Sequence, residues 1–209
     1  MEYFRSMSRA LGPSYWWPAM SSFEVCIGAV LTQNTNWTNA SRAVAALRDK
    51  DLLSPQRLDG LTEDELAELI RPAGYFRVKA KRLKALLAFL QREADYDMRS
   101  LSSRPFEELR PKLLAVKGIG PETADSILLY ALGYPVFVVD AYTARIMHRH
   151  AFVPKEVGYA ELQEVFSQSL PQDVELFNEY HALLVRVGKS WCKKSSPLCT
   201  DCPLGPFLG

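Results

Sequence analysis

The stretch Leu114–Ile146, LAVKGIGPETADSILLYALGYPVFVVDAYTARI, decides the reading of this chain. A short apolar approach, the turn Gly118-Ile119-Gly120 and a new helical pattern from Thr123 predict two helices joined by a tight hairpin within residues 114–132. Glycines lack Cβ, so they can take positive φ and let backbone N–H groups come close to a ligand. The N-terminus of the following helix adds a partial positive charge. Together these make a phosphate site. Further on, the apolar run Val136-Phe137-Val138-Val139 delivers a carboxylate, Asp140, to the head of another helix over residues 140–150. Asp before a helix reads as an N-cap. Behind a backbone clamp it is also a candidate acid, and the two roles are compatible.

Working outward, 209 residues with 48% hydrophobic content suffice for one large domain or two lobes of about 100 residues each. The apolar runs are too short and interrupted for a membrane span of roughly 20 residues. No basic head precedes an apolar core at the N-terminus, so a cytoplasmic protein is expected. Net charge is +1, which excludes a nonspecific polycation; any nucleic-acid contact must use local clusters and dipoles. Of the four cysteines, Cys26 sits in a helical pattern and reads as a core thiol. Cys192, Cys199 and Cys202 crowd into eleven residues, which in a reducing compartment points to metal rather than disulfides.

Before the hairpin, Tyr15-Trp16-Trp17-Pro18 reads as a loop, since proline disfavours helix at the residue before it. Helical patterns follow over 22–32, 39–49, 62–70 and 78–94, with a polar loop Gln33-Asn34-Thr35-Asn36-Trp37 after the first. A Pro/Gly loop carrying Tyr75 and Phe76 leads into Lys79, Lys81, Arg82 and Lys84. That run reads either as a solvated helix face or as cations for phosphates beside a ring that enters the base stack. A linker with a short helix spans 95–112, the first hairpin helix is placed at 110–117, and later helices at 159–169 and 173–187. No strand alternation is convincing. The expected fold is all-α, with two helical lobes and a cleft between them, the hairpin and Asp140 at its mouth. One lobe is 22–134 with the helix-hairpin-helix; the other is 1–21 with 135–209 and ends in a cysteine loop at 192–202. His148, His150 and His181 show no metal-ligand spacing and are expected to be structural.

Val116 to Ala124 and Val139-Asp140 to Arg145 resemble the helix-hairpin-helix DNA glycosylases of the endonuclease III superfamily. Their hairpin has the form L-x-G-[IV]-G-x-x-[TS]-A, and their catalytic aspartate the form V-D-x-x-x-x-R. The resemblance covers nearly the whole chain. It implies Asp140 as the catalytic carboxylate and a DNA clamp at Lys117, Gly118, Gly120 and Thr123. It also implies Gln33 as the filler of the hole left by an extruded base, and Tyr75 as the wedge. The lyase branch attacks C1′ with a lysine two residues after the second hairpin glycine. Here that residue is Glu122, and a carboxylate cannot form a Schiff base, so a monofunctional glycosylase is expected.

The aromatic pair before Pro18, the string Gly28 to Thr35, the hairpin with Glu122, and Gly188-Lys189 are similar to the 3-methyladenine branch of that superfamily. That likeness implies a base pocket of Trp16, Trp17, Pro18, Trp37, Glu122 and Lys189. Electron-rich indoles suit cationic rings, such as a purine methylated at a ring nitrogen. The implied partner is duplex DNA with a damaged base, met by a monomer, in the cytoplasm at the nucleoid. Alternatives are a pyrimidine-lesion or mismatch glycosylase of the same fold, and a noncatalytic helix-hairpin-helix module. The superfamily's C-x6-C-x2-C-x5-C knot holds a [4Fe-4S] cluster. Cys192, Cys199 and Cys202 match its first three members, while position 208 is Leu208. The cluster is expected as a structural element; a three-thiolate zinc, a degenerate site and a sequence cut short stay open.

Overall fold

The computed structural model describes residues 1–208. In chain order its helices are α1 (Glu2–Leu11), α2 (Ser22–Leu31), α3 (Trp37–Asp49), α4 (Pro55–Asp59), α5 (Glu63–Leu69), α6 (Phe76–Ala94), α7 (Met98–Ser102), α8 (Phe106–Leu114), α9 (Pro121–Ser126), α10 (Ala141–Arg149), α11 (Tyr159–Ser169) and α12 (Val174–Ser190). No strand occurs among the described residues, and the fold is all-α. No helix among them is long and apolar enough to cross a membrane. The chain divides into two compact units, Ala19–Tyr134 and Met1–Pro18 with Pro135–Gly209.

The first unit is built on α2. Ser21 caps it by accepting from the Glu24 N–H at 3.1 Å, and every residue from Phe23 to Leu31 is buried. A helix apolar all round belongs inside a bundle. Accordingly α3, α6 and α9 pack on it. Cys26 is a fully buried thiol, as its place in the pattern suggested, and burial pushes its pKa to about 12. Glu24, buried in the same helix, is ion-paired with Arg48 of α3.

Several sequence boundaries shift. The first hairpin helix is α8, which stops at Leu114, so Val116 and Lys117 lie in the turn rather than in a helix. The second begins at Pro121, two residues before Thr123, because proline's fixed φ suits the first helical position. It continues past Ser126 as a π-helical turn, Ile127–Ala131. The basic run of α6 is corrected as well. Lys79 is 1% exposed and donates to two backbone carbonyls, and Lys84 is held by Asp59 and the Leu61 carbonyl. Neither ammonium belongs to a free cationic face.

The second unit has an aromatic core. Phe137, from the buried run before Asp140, stacks on Phe166 of α11 with centroids 4.1 Å apart and planes 5° apart. It meets Phe177 and Tyr180 of α12 edge-on. A fully buried Phe contributes about 2–3 kcal/mol, and such ring pairs roughly 1 kcal/mol more. Gln163 fixes the same run by donating to the Phe137 carbonyl at 2.7 Å. The extended segment 136–139 therefore needs no sheet to hold it. Next to it α10 lies close against α12 because Gly188 has no side chain; a Cβ there would stand 2.5 Å from the Tyr142 ring.

Candidate active site

In the unit Ala19–Tyr134, the hairpin turn is set by Gly118, at φ +87°. A Cβ on Gly118 would lie 2.4 Å from Cγ of Arg82, so both conformation and space call for glycine. Gly120 behaves differently. It caps α9 at φ −91° with open space where a Cβ would stand, so its smallness leaves the helix start clear rather than shaping the chain. Val116 and Ile119 anchor the turn by burying their side chains, while Lys117, Gly118 and Gly120 face outward.

Gln33 is tied to this hairpin. Its Nε2 donates to the Gly118 carbonyl at 3.0 Å and to the Thr123 hydroxyl at 2.9 Å, and its Oε1 accepts from Arg82 at 2.6 Å. Thr123 is thus a buried partner of Gln33, not an exposed group. Trp37 is the first residue of α3, which Asn36 caps through a 2.9 Å bond from the Asn39 N–H. Tyr75 sits at φ +47° at the head of α6 and is 71% exposed. Glu122 is exposed in the first turn of α9, where a carboxylate suits the helix dipole.

The unit made of Met1–Pro18 and Pro135–Gly209 holds Asp140, Trp16, Trp17, Pro18, Lys189 and the cysteine loop. Trp16 and Trp17 are half-buried with ring centroids 4.6 Å apart. The loop before them is fastened to α12, since Ser14 gives its N–H and its hydroxyl to the Glu179 carboxylate at 2.8 and 2.5 Å. Pro18 is exposed, and Lys189 is exposed in the last turn of α12.

Asp140 is the N-cap of α10. Its Oδ1 accepts from the N–H of Thr143 at 2.7 Å and from the Thr143 hydroxyl at 2.9 Å. Its Oδ2 lies 3.8 Å from Nε2 of His181, and the side chains of Asp140 and His181 are only 12% and 9% exposed. Burial raises the Asp140 pKa, but His181 and then Thr143 outweigh it, and the carboxyl is held below its ordinary value. A dry, ionised carboxylate with one oxygen fixed by capping can stabilise a cation or take a proton from water.

Cys192, Cys199, Cys202 and Leu208 line one small apolar cavity together with Trp191 and Arg149. All three cysteines are free thiols. Arg149 donates to Sγ of Cys192 at 3.2 Å. The loop thus brings three soft donors and Leu208, at the fourth position of the knot, to one cavity. Among the described residues no three Cys, His, Asp or Glu side chains converge tightly enough to form a metal-ligand set. These donors suit a cluster only with a fourth ligand from elsewhere.

Residues 27–172 match the family described as HhH-GPD superfamily base excision DNA repair protein. The chain belongs to this superfamily. A protein of Methanocaldococcus jannaschii described provisionally as a DNA repair glycosylase is 44% identical over 94% of this chain and 89% of its own length. The thymine-DNA glycosylase of Aeropyrum pernix is 30% identical over 72% of this chain and 66% of its own. Among solved structures, the H. pylori 3-methyladenine DNA glycosylase bound to 1,N6-ethenoadenine superposes with a TM-score of 0.74 at 26% identity, covering 90% of this chain and 98% of that one. This HhH-GPD chain is accordingly a base excision DNA glycosylase by family.

Sequence reasoning on the HhH-GPD chain missed three residues at these sites. Thr143 donates to Asp140, Arg82 bonds Gln33 and His181 faces Asp140 at 3.8 Å, and none stands in a recognised motif. For His181 a signal existed. It falls at helical spacing with buried Phe177, Leu184 and Gly188, so a polar ring was due to be buried.

Proposed function

We propose that this glycosylase is monofunctional and removes alkylated purines of the 3-methyladenine kind from duplex DNA, leaving an abasic site. Two observations support this reading: Asp140 is fixed and ionised, and a glutamate, Glu122, stands at the sequence position where the lyase branch has its lysine. In the proposed reaction the C1′–N bond breaks and its electron pair leaves with the base. The sugar becomes oxocarbenium-like, and Asp140 stabilises that charge at short range. Water then adds to C1′ and gives up a proton. A purine carrying positive charge is a good leaving group, so a single carboxylate suffices.

The target base must leave the stack to be reached. Trp16, Trp17 and Trp37 are the proposed ring contacts to it, and Pro18, Glu122 and Lys189 further proposed base contacts. The exposed Tyr75 would wedge the duplex beside Gln33, and the amides around Gly118 and Gly120, with Lys117 near, would hold phosphate. The chain would act as a monomer on damaged duplex in the cytoplasm at the nucleoid. Cys192, Cys199 and Cys202 would hold a [4Fe-4S] cluster with one further ligand, as structure.

A second reading keeps the fold and the acid but exchanges the substrate for a mismatched or damaged pyrimidine. It is favoured by the 30% identity to a thymine-DNA glycosylase. The two part company in one experiment. Duplexes containing 3-methyladenine, uracil opposite guanine and thymine opposite guanine are incubated with the protein, and the released bases are identified. Release of the methylated purine alone supports the first reading; release of uracil or thymine alone replaces it with the second.

A further inference from the structure

Asp140 has two carboxylate oxygens with different surroundings. Oδ1 is saturated by Thr143, which gives it both an N–H and a hydroxyl. Oδ2 is the oxygen left for chemistry, and the protein group facing it is Nε2 of His181, 3.8 Å away across α10 and α12. The histidine is packed into the core of its unit. It lies inside α12 on the buried stripe with Phe177, Leu184 and Gly188, and is itself 7% exposed. The two helices stay close because Gly188 admits the Tyr142 ring.

We propose that His181 is a positioning residue for base excision, its Nε2–H holding Oδ2 of Asp140 in the one orientation that the Thr143 cap leaves open. This rests on the reading of Asp140 as the excision carboxylate. Two physical arguments support it. A carboxylate 12% exposed loses most of its hydration, and its charged form needs donors on both oxygens. Thr143 supplies donors for one alone. An acid held on one side can also rotate about its terminal torsion, and misplacement of a reacting group by about 1 Å costs on the order of a hundredfold in rate. Because 3.8 Å is longer than a hydrogen bond, a contraction of about 1 Å between Nε2 and Oδ2 would complete the contact.

The test uses the full chain with His181→Leu, which removes the donor but keeps an apolar side chain, and His181→Gln, whose amide nitrogen reaches about as far as Nε2. Single-turnover base release and binding to a duplex with a tetrahydrofuran abasic-site analogue are measured for each. The expected result is a loss of about ten- to a hundredfold in release rate for His181→Leu, the value of a hydrogen bond to a charged group. Binding should stay unchanged, and His181→Gln should recover much of the rate. A rate equal to wild type in His181→Leu, or binding that falls in step with rate, overturns the proposal.

A urea-unfolding cycle over His181→Leu, Asp140→Asn and the double variant reads the pairing without any substrate. Non-additive stabilities support it, and additive ones overturn it. If the wild type releases no base from any duplex, the excision reading fails on its own, and the cycle still decides whether the two side chains are coupled.

Discussion

The ammonium of Lys79 ties the end of α2 to the loop that presents Tyr75, donating to the Leu31 carbonyl at 2.9 Å and the Ala73 carbonyl at 2.8 Å. It is 1% exposed, and burial, helped by the charge of Arg82, lowers its pKa to about 8. Two turns that the function needs, one before Gln33 and one before Tyr75, therefore share a buried donor. Lys79→Met leaves both carbonyls unsatisfied and is expected to cost about 1–3 kcal/mol of stability. Urea unfolding checks the cost. Affinity for duplex DNA should fall as well, as Gln33 and Tyr75 lose their common support.

Gly118→Ala tests the hairpin. Its new Cβ would meet Arg82 and would sit at φ +87°, so about 1–3 kcal/mol of strain is expected. Displacing Arg82 also breaks its bond to Gln33. Gly120→Ala, in open space at an ordinary φ, should leave stability nearly unchanged and weaken DNA binding. Thermal melts of the two variants beside duplex titrations separate a shaping glycine from a clearing one.

Acid stability should depend on Glu93. Lys112 and Arg92, with Arg104, bond its carboxylate and hold its pKa at about 2, against an ordinary 4.5. The folded value is depressed, so this stabilisation is complete above pH 4.5 and is lost as pH falls toward about 2. Glu93→Gln is expected to lower stability at neutral pH and to flatten its fall below pH 4.5, read from unfolding curves across that range.

Glu122→Lys is expected to open a covalent route. An amine at position 122 can attack C1′ and form a Schiff base where a carboxylate cannot. Borohydride should then trap a protein–DNA adduct on lesion-containing duplex with the variant and not with the wild type. Trapping by the wild type would contradict the monofunctional reading.

The cavity beside the cysteines makes a metal prediction. Leu208 lines it with Cys192, Cys199 and Cys202, so Leu208→Cys places a fourth thiol among three. Iron and acid-labile sulfide per chain should rise or be retained longer in air in that variant. Equal contents in both proteins, or none in either, would contradict the proposed cluster site.

The hairpin and the Asp140 cap were legible because both are local. Glycine at the positive-φ turn and aspartate before α10 are each decided within a few residues of their own position, whereas the helix start at Pro121 was placed at Thr123. The partners of these residues were not, since they come from far along the chain. Arg82 reaches Gln33 across 49 residues of sequence, and nothing in either neighbourhood announces it. Lys79 shows a different failure. It was read with its charged neighbours as surface, although its spacing to Leu83, Leu86 and Leu90 puts it on the buried stripe of α6. A polar side chain on an apolar stripe was the overlooked signal, and His181 on α12 is a second case.

The role of Asp140 is tested most directly by base release from methylated duplex DNA by the wild type and Asp140→Asn, with strand integrity followed in the same reactions. The wild type is expected to free 3-methyladenine and leave the strand uncut, and the variant to lose about 10²–10⁴-fold in rate, the usual reach of a positioned acid or base. Release that persists at the wild-type rate in Asp140→Asn would contradict that role.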